Sequence, residues 1–109
     1  MNHEMFRITV YINESDKWHH QPLHIEILQM LHDHGLAGST VFHAVAGFTN
    51  KGAVETTGLV DVGSKLPLVI EFIDTAEKIE SILPQLKTMA PHRLIIRERV
   101  EVINFASKK

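Results

Sequence analysis

Apolar residues recur along this chain at two spacings, and the switch between them divides it into six segments. Phe6-Arg7-Ile8-Thr9-Val10-Tyr11-Ile12 alternates at period two and is rich in β-branched residues, which predicts a strand with one buried face. A polar, turn-forming loop of about ten residues follows, through Asn13 and up to Pro22, a residue suited to a first helical turn. Apolar residues at 23, 27, 30 and 31 then keep one face of a helix over 22–34, closed by Gly35. Thr40 to Phe48 mixes β-branched and aromatic residues and predicts a second strand, and the nearly continuous apolar run Leu66 to Ile73 predicts a third, covered on its faces. Helical spacing returns at Ile79, Ile82, Leu83, Leu86 and Met89. Asp74 and Thr75 supply N-cap oxygens, Glu77 stands three residues after Asp74 as in a capping box, and Pro84 predicts a kink or break near Leu83. Leu94 to Ile103 alternates again as a fourth strand, with Arg97, Arg99 and Glu101 on one face. Val54 and Leu59-Val60 could extend strands two and three into a projecting hairpin, and 106–109 reads as a loose tail.

The resulting order, β-α-β-β-α-β, is that of the ferredoxin-like α+β fold, an antiparallel sheet with both helices on one face. The apolar third strand implies that the other face is also covered. A trimer with its sheets facing inward supplies that cover. Length points the same way: 109 residues, 44% hydrophobic, fit a single domain over 1–109. Such a domain buries roughly two-thirds of its unfolded surface, so association adds stability. A formal charge of −2 offers no broad basic field, so nucleic acid is not expected as a partner. The absence of cysteine removes disulfides, thiolate metal sites and cysteine nucleophiles. The N-terminus has no signal-peptide pattern and no apolar run approaches about 18 residues, so the reading is soluble and cytoplasmic.

Candidate chemistry concentrates at Val45 to Gly52, where a hydrophobic strand ends in Gly47-Phe48 and opens a cationic, glycine-containing loop over 49–65. Glycine permits close approach of a phosphate or ring, and Lys51 supplies a mobile positive charge. Glu14-Ser15-Asp16-Lys17 forms a second polar candidate, read equally as a structural turn whose side chains cap backbone groups. Trp18 reads as a packing anchor. Eight histidines raise the question of metal, with His19, His20 and His24 the nearest set, but Pro22 favours a helix start after His20 and no ligand set is completed. Surface histidines are the expectation for these and for His32, His34 and His43. Ser, His and Asp are all present, yet no nucleophile elbow is, so enzymatic activity is not expected.

Three stretches together resemble PII-like proteins of the DUF190 (UPF0166) type across about residues 6–103. They are Ile12 to Lys17; Gly35 to Val41 with Ala46-Gly47-Phe48; and Leu66 to Glu71 with Asp74 and Glu77-Lys78-Ile79. The resemblance implies a PII-like trimer that binds an effector, an adenine nucleotide or a related anion, in clefts between subunits. It also implies a T-loop that reports occupancy to a membrane transporter, a channel or an enzyme. Gly47 and Phe48 match the opening of that loop and Lys51-Gly52 its Lys-Gly; Arg93 stands near a phosphate-binding lysine position. With Thr49, Asn50, Arg97 and Arg99 these make the candidate ligand site. Any of Lys51, Arg93, Arg97 and Arg99 read alone is more often a solvated charge or an interface salt-bridge partner than a ligand group. The sequence departs from the pattern at Ala90-Pro91-His92, where a glycine-rich turn is expected, and at Val54-Glu55-Thr56 in the loop. No cofactor is firmly implied. Two other readings are a metal-binding trimer resembling the divalent-cation tolerance proteins, through His19, His20 and His24, and a ligand-free interaction module.

Overall fold

In the computed structural model, which describes residues 3–56 and 65–105, the six predicted segments all form. In chain order the elements are β1 (His3–Asn13), β2 (Lys17–Trp18), β3 (Gln21–Pro22), α1 (Leu23–Asp33), β4 (Thr40–His43), β5 (Ala46–Gly47), β6 (Glu55–Thr56), β7 (Pro67–Thr75), α2 (Ala76–Met89) and β8 (Leu94–Val102). Two short pairs, β2 with β3 and β5 with β6, stand beside the main sheet. That sheet runs β4-β7-β1-β8 with every neighbouring pair antiparallel, the ferredoxin-like order.

Register explains the core. Ile8, Val10 and Ile12 of β1 and Leu68, Ile70 and Phe72 of β7 project to one side. There Ile27 and Leu31 of α1 and Ile79, Ile82 and Leu86 of α2 close over them. The opposite face carries Tyr11, Phe42, Val69, Ile73, Leu94, Ile96 and Val100, half-buried or exposed, so it is apolar without being covered by this chain. On that face Arg7 Nε donates to Glu98 Oε1 at 3.0 Å across the β1–β8 pair, which raises the arginine's titration point.

Several local expectations change in detail. Helix α1 ends in a Schellman arrangement, with Leu36 N donating to Leu31 O, Gly35 N donating to His32 O, and Gly35 left-handed at φ +78°. At its last turn the Asp33 carboxyl is held below the usual range, mainly by Gln29 and then by His32. Helix α2 is capped by Thr75, whose Oγ1 accepts from Lys78 N. The Asp74–Glu77 capping box does not form. Asp74 is buried instead, its carboxylate accepting from Ala37 N and Thr75 N, so it ties the α1–β4 connector to the end of β7. Pro84 does not break the helix, because it lies on the exposed side, away from buried Ile82 and Leu86. The second strand stops at His43, and the chain re-forms as β5 pairing with β6. Val54 precedes β6 of that small hairpin, and Leu59-Val60 lie outside the described residues.

Candidate functional site

The β5–β6 hairpin opens into a tight turn at Thr49 to Gly52, where Gly52 N donates to Thr49 O at 2.8 Å and Asn50 and Lys51 both have positive φ. Asn adopts that conformation readily; Lys51 holds it at a cost of about 1 kcal/mol. The turn is placed against the sheet by Gly47 (φ +152°), since a Cβ there would stand 3.0 Å from the Pro67 ring. Glycine at 47 therefore lets Pro67 pack, and it does not line the cleft described next.

Phe48, Thr49 and Asn50 face the α2–β8 turn across a cleft of about 250 Å³. Tyr11, Pro67 and Leu94 complete its apolar wall, and His92 and Arg93 provide its nitrogen donors. A second hollow of about 280 Å³ adjoins it and shares Asn50, His92 and Arg93, while adding Asp16 and Lys17. The two polar candidates are thus neighbours in space. Arg93 Nη2 donates to Asp16 Oδ1, with both side chains largely buried. The other Asp16 oxygen accepts from Asn13 N at 2.9 Å.

Asn13, buried at the end of β1, is the hub of this region. Its Nδ2 donates to Thr49 Oγ1 at 3.2 Å and to Lys65 O at 2.5 Å, and its Oδ1 accepts from Ser15 N and Ser15 Oγ. One side chain therefore holds both ends of the 49–65 segment. Glu14 supports the same base: its carboxylate meets His43 Nε2 at 2.6 Å and accepts from Leu66 N at 3.3 Å. Through its hydroxyl Ser15 is turned back onto Asn13, and Lys17 lies at the exposed edge of the second hollow.

The remaining candidates lie elsewhere. Lys51 is exposed and does not line the cleft. Arg97 sits on the helix-side face of β8, where it donates to Glu80 Oε2 at 2.6 Å and stacks over Phe6 at 5.0 Å, and Arg99 pairs with Glu4 at 3.2 Å. Both stand on the helix-side face of β8, whereas Tyr11 and Leu94, which line the cleft, stand on the other face; Arg97 shares with Arg93 a separate hollow of about 570 Å³ beside Leu83 and Lys87. Trp18 packs against the core and stacks on His19 at 4.3 Å. His19 and His20 occupy a left-handed turn between β2 and β3, and His24 lies on α1. Among the described residues no group of three or more His, Cys, Asp or Glu is placed to hold a metal ion. Sequence reasoning misses Tyr11, Pro67, His92 and Leu94 as cleft residues. Their signal is topological: Tyr11 lies directly opposite Leu94 in the β1–β8 register, and β7 begins at Pro67 beside Asn13.

The DUF190 family, described as Uncharacterized ACR, matches residues 5–102. A UPF0166 protein of Aquifex aeolicus is 34% identical over 97 residues, 88% of this chain and 90% of the relative. A UPF0166 protein of Methanocaldococcus jannaschii is 29% identical over 79 residues, 72% of each chain. Among solved structures, CPII, a nitrogen regulatory PII-like protein from Thiomonas intermedia bound to ADP, AMP and bicarbonate, superposes with a TM-score of 0.67 at 13% identity, covering 94% of this chain and 91% of the other. A PII-like signalling protein from Thermus thermophilus gives 0.63 at 21% identity, covering 94% and 92%. A family match over nearly the whole length and a relative of 34% identity agree: the chain belongs to the DUF190 (UPF0166) family, and its fold is that of the PII-like structures it superposes on.

Proposed function

We propose that this protein is a PII-like regulator, not an enzyme, that binds an adenine nucleotide in the Phe48–Arg93 cleft. The observation that carries the reading is the cleft's division of labour. Tyr11, Phe48 and Leu94 offer a flat apolar wall for a base, while Arg93 and His92 offer donors for phosphate and Thr49 and Asn50 offer polar groups between them. CPII, which shares the fold, is bound to ADP and AMP. The cleft lies at the base of the 49–65 segment, so an occupant there can bias that segment and report to a partner, a membrane transporter, a channel or an enzyme.

A cleft of about 250 Å³ falls below the usual range for a pocket that encloses a small ligand. Tyr11 and Leu94 belong both to its wall and to the uncovered apolar sheet face. A homotrimer formed through that face buries it and adds the missing wall of each cleft from a neighbouring subunit. Light scattering on the purified protein is expected to return the mass of three 12.4 kDa chains, and a monomer at micromolar concentration would remove this part of the reading.

The nucleotide itself is tested by calorimetric titration with AMP, ADP and ATP, alone and with bicarbonate. Hydrogen bonds to charged groups contribute about 1.5–3 kcal/mol, so Arg93→Ala is expected to weaken binding by at least about tenfold. Equal affinity in the two proteins would show that the phosphate sits elsewhere. No heat and no thermal shift with any nucleotide would leave protein docking as the better account of the fold.

A further inference from the structure

We infer that Asp16 is a resident anion on the cleft's arginine, one that an anionic effector must oppose or displace, and that it sets the site's selectivity by ligand charge. The inference rests on the nucleotide reading above. Arg93 lines both hollows, yet its guanidinium is already engaged by Asp16 Oδ1. An incoming phosphate therefore does not meet an uncompensated cation. It can take the guanidinium's remaining N–H groups and lie close to the carboxylate, where like charges in a partly desolvated site repel. Alternatively it can take Arg93 over and release Asp16. In both cases the carboxylate works against binding, and more strongly as the ligand carries more negative charge.

Release has a defined path. Asp16 Oδ2 accepts from Asn13 N, and Asp16 N donates to Asn13 O. The same Asn13 holds Thr49 and Lys65 through its side-chain amide. Freeing the carboxylate removes one of the bonds that orient Asn13, and so loosens the point where the two ends of the 49–65 segment are tied. The contact thereby gives phosphate at Arg93 a mechanical consequence that a solvated arginine would lack.

The test compares wild type with Asp16→Asn in titrations with adenosine, AMP, ADP and ATP. The asparagine oxygen can still accept from Asn13 N, so the turn retains its cap while the negative charge is lost. Expected is tightening of about tenfold for ADP, less for AMP, more for ATP, and none for adenosine. A purely structural role for Asp16 would move all four ligands together. Unchanged or weaker ADP binding in the variant, with wild-type binding still dependent on Arg93, overturns this inference and leaves the nucleotide reading standing. Failure of every nucleotide to bind either protein overturns both. Should the variant fold poorly, hydrogen exchange in the wild type decides: the Asn13 amide, bonded to Asp16, is expected to exchange faster with ADP bound. Unchanged or slower exchange rejects displacement.

Discussion

Ile8→Ala is expected to lower the unfolding free energy by about 3–4 kcal/mol, the largest stability loss among the substitutions considered. Ile8 has no exposed surface, and its strand is an inner one, between β7 and β8. Each neighbour is paired with β1 over nine residues, so the sheet cannot close around the missing atoms. The cavity term then adds to the lost transfer energy. Against a total of about 5–15 kcal/mol for a small domain, the variant has little margin left. Urea unfolding at fixed protein concentration measures it, since association couples to stability. Ile103→Ala, at an 89% exposed position, serves as the control and is expected to change stability by no more than about 0.5 kcal/mol. Similar small effects at both positions would refute the packing described for β1.

The second large effect is expected at Asn13. Alanine there removes a donor from Thr49 Oγ1 and Lys65 O and an acceptor from Ser15, and it leaves partly buried groups without partners. Each net bond contributes about 0.5–1.5 kcal/mol, which gives an expected loss of about 2–3 kcal/mol. Asn13→Asp is the sharper probe, because it preserves shape and the acceptor for Ser15 but points a second oxygen at the Lys65 carbonyl. It is expected to cost nearly as much as alanine, and to speed exchange of the amides flanking the segment, Asn50 and Leu66 among them. Wild-type stability in Asn13→Asp would mean that the Nδ2 contacts do not hold the segment's ends. Nucleotide affinity is expected to fall in both variants, because Thr49 lines the cleft.

Much of the fold is legible because its signals are local. Period-two alternation from Phe6 to Ile12 and from Leu94 to Ile103 assigns β1 and β8 to within a few residues, and the apolar positions 23, 27, 30 and 31 are the buried ones of α1. Gly35 closes its helix as a C-terminal glycine should. Errors arise where a residue has two local uses and a distant contact chooses between them. Asp74 reads as an N-cap, but Ala37 N competes for its carboxylate, and Thr75 takes the cap. Pro84 reads as a helix breaker, but it falls on the solvent side, where the missing hydrogen bond is least costly.

The site divides in the same way. From sequence alone come the strand and helix pattern, the ferredoxin-like order, the family resemblance, and the candidacy of Phe48, Thr49, Asn50 and Arg93. All of these depend on residues near one another in the chain. Only the tertiary structure decides that Arg93 meets Asp16 from 77 residues away, that Asn13 reaches Lys65 across 52, and that Arg97 and Arg99 face away from the cleft. Antiparallel pairing brings the connections that carry Asp16, Lys65 and Arg93 to one end of the sheet, and a one-residue shift of β8 would turn Arg97 and Arg99 to the opposite face.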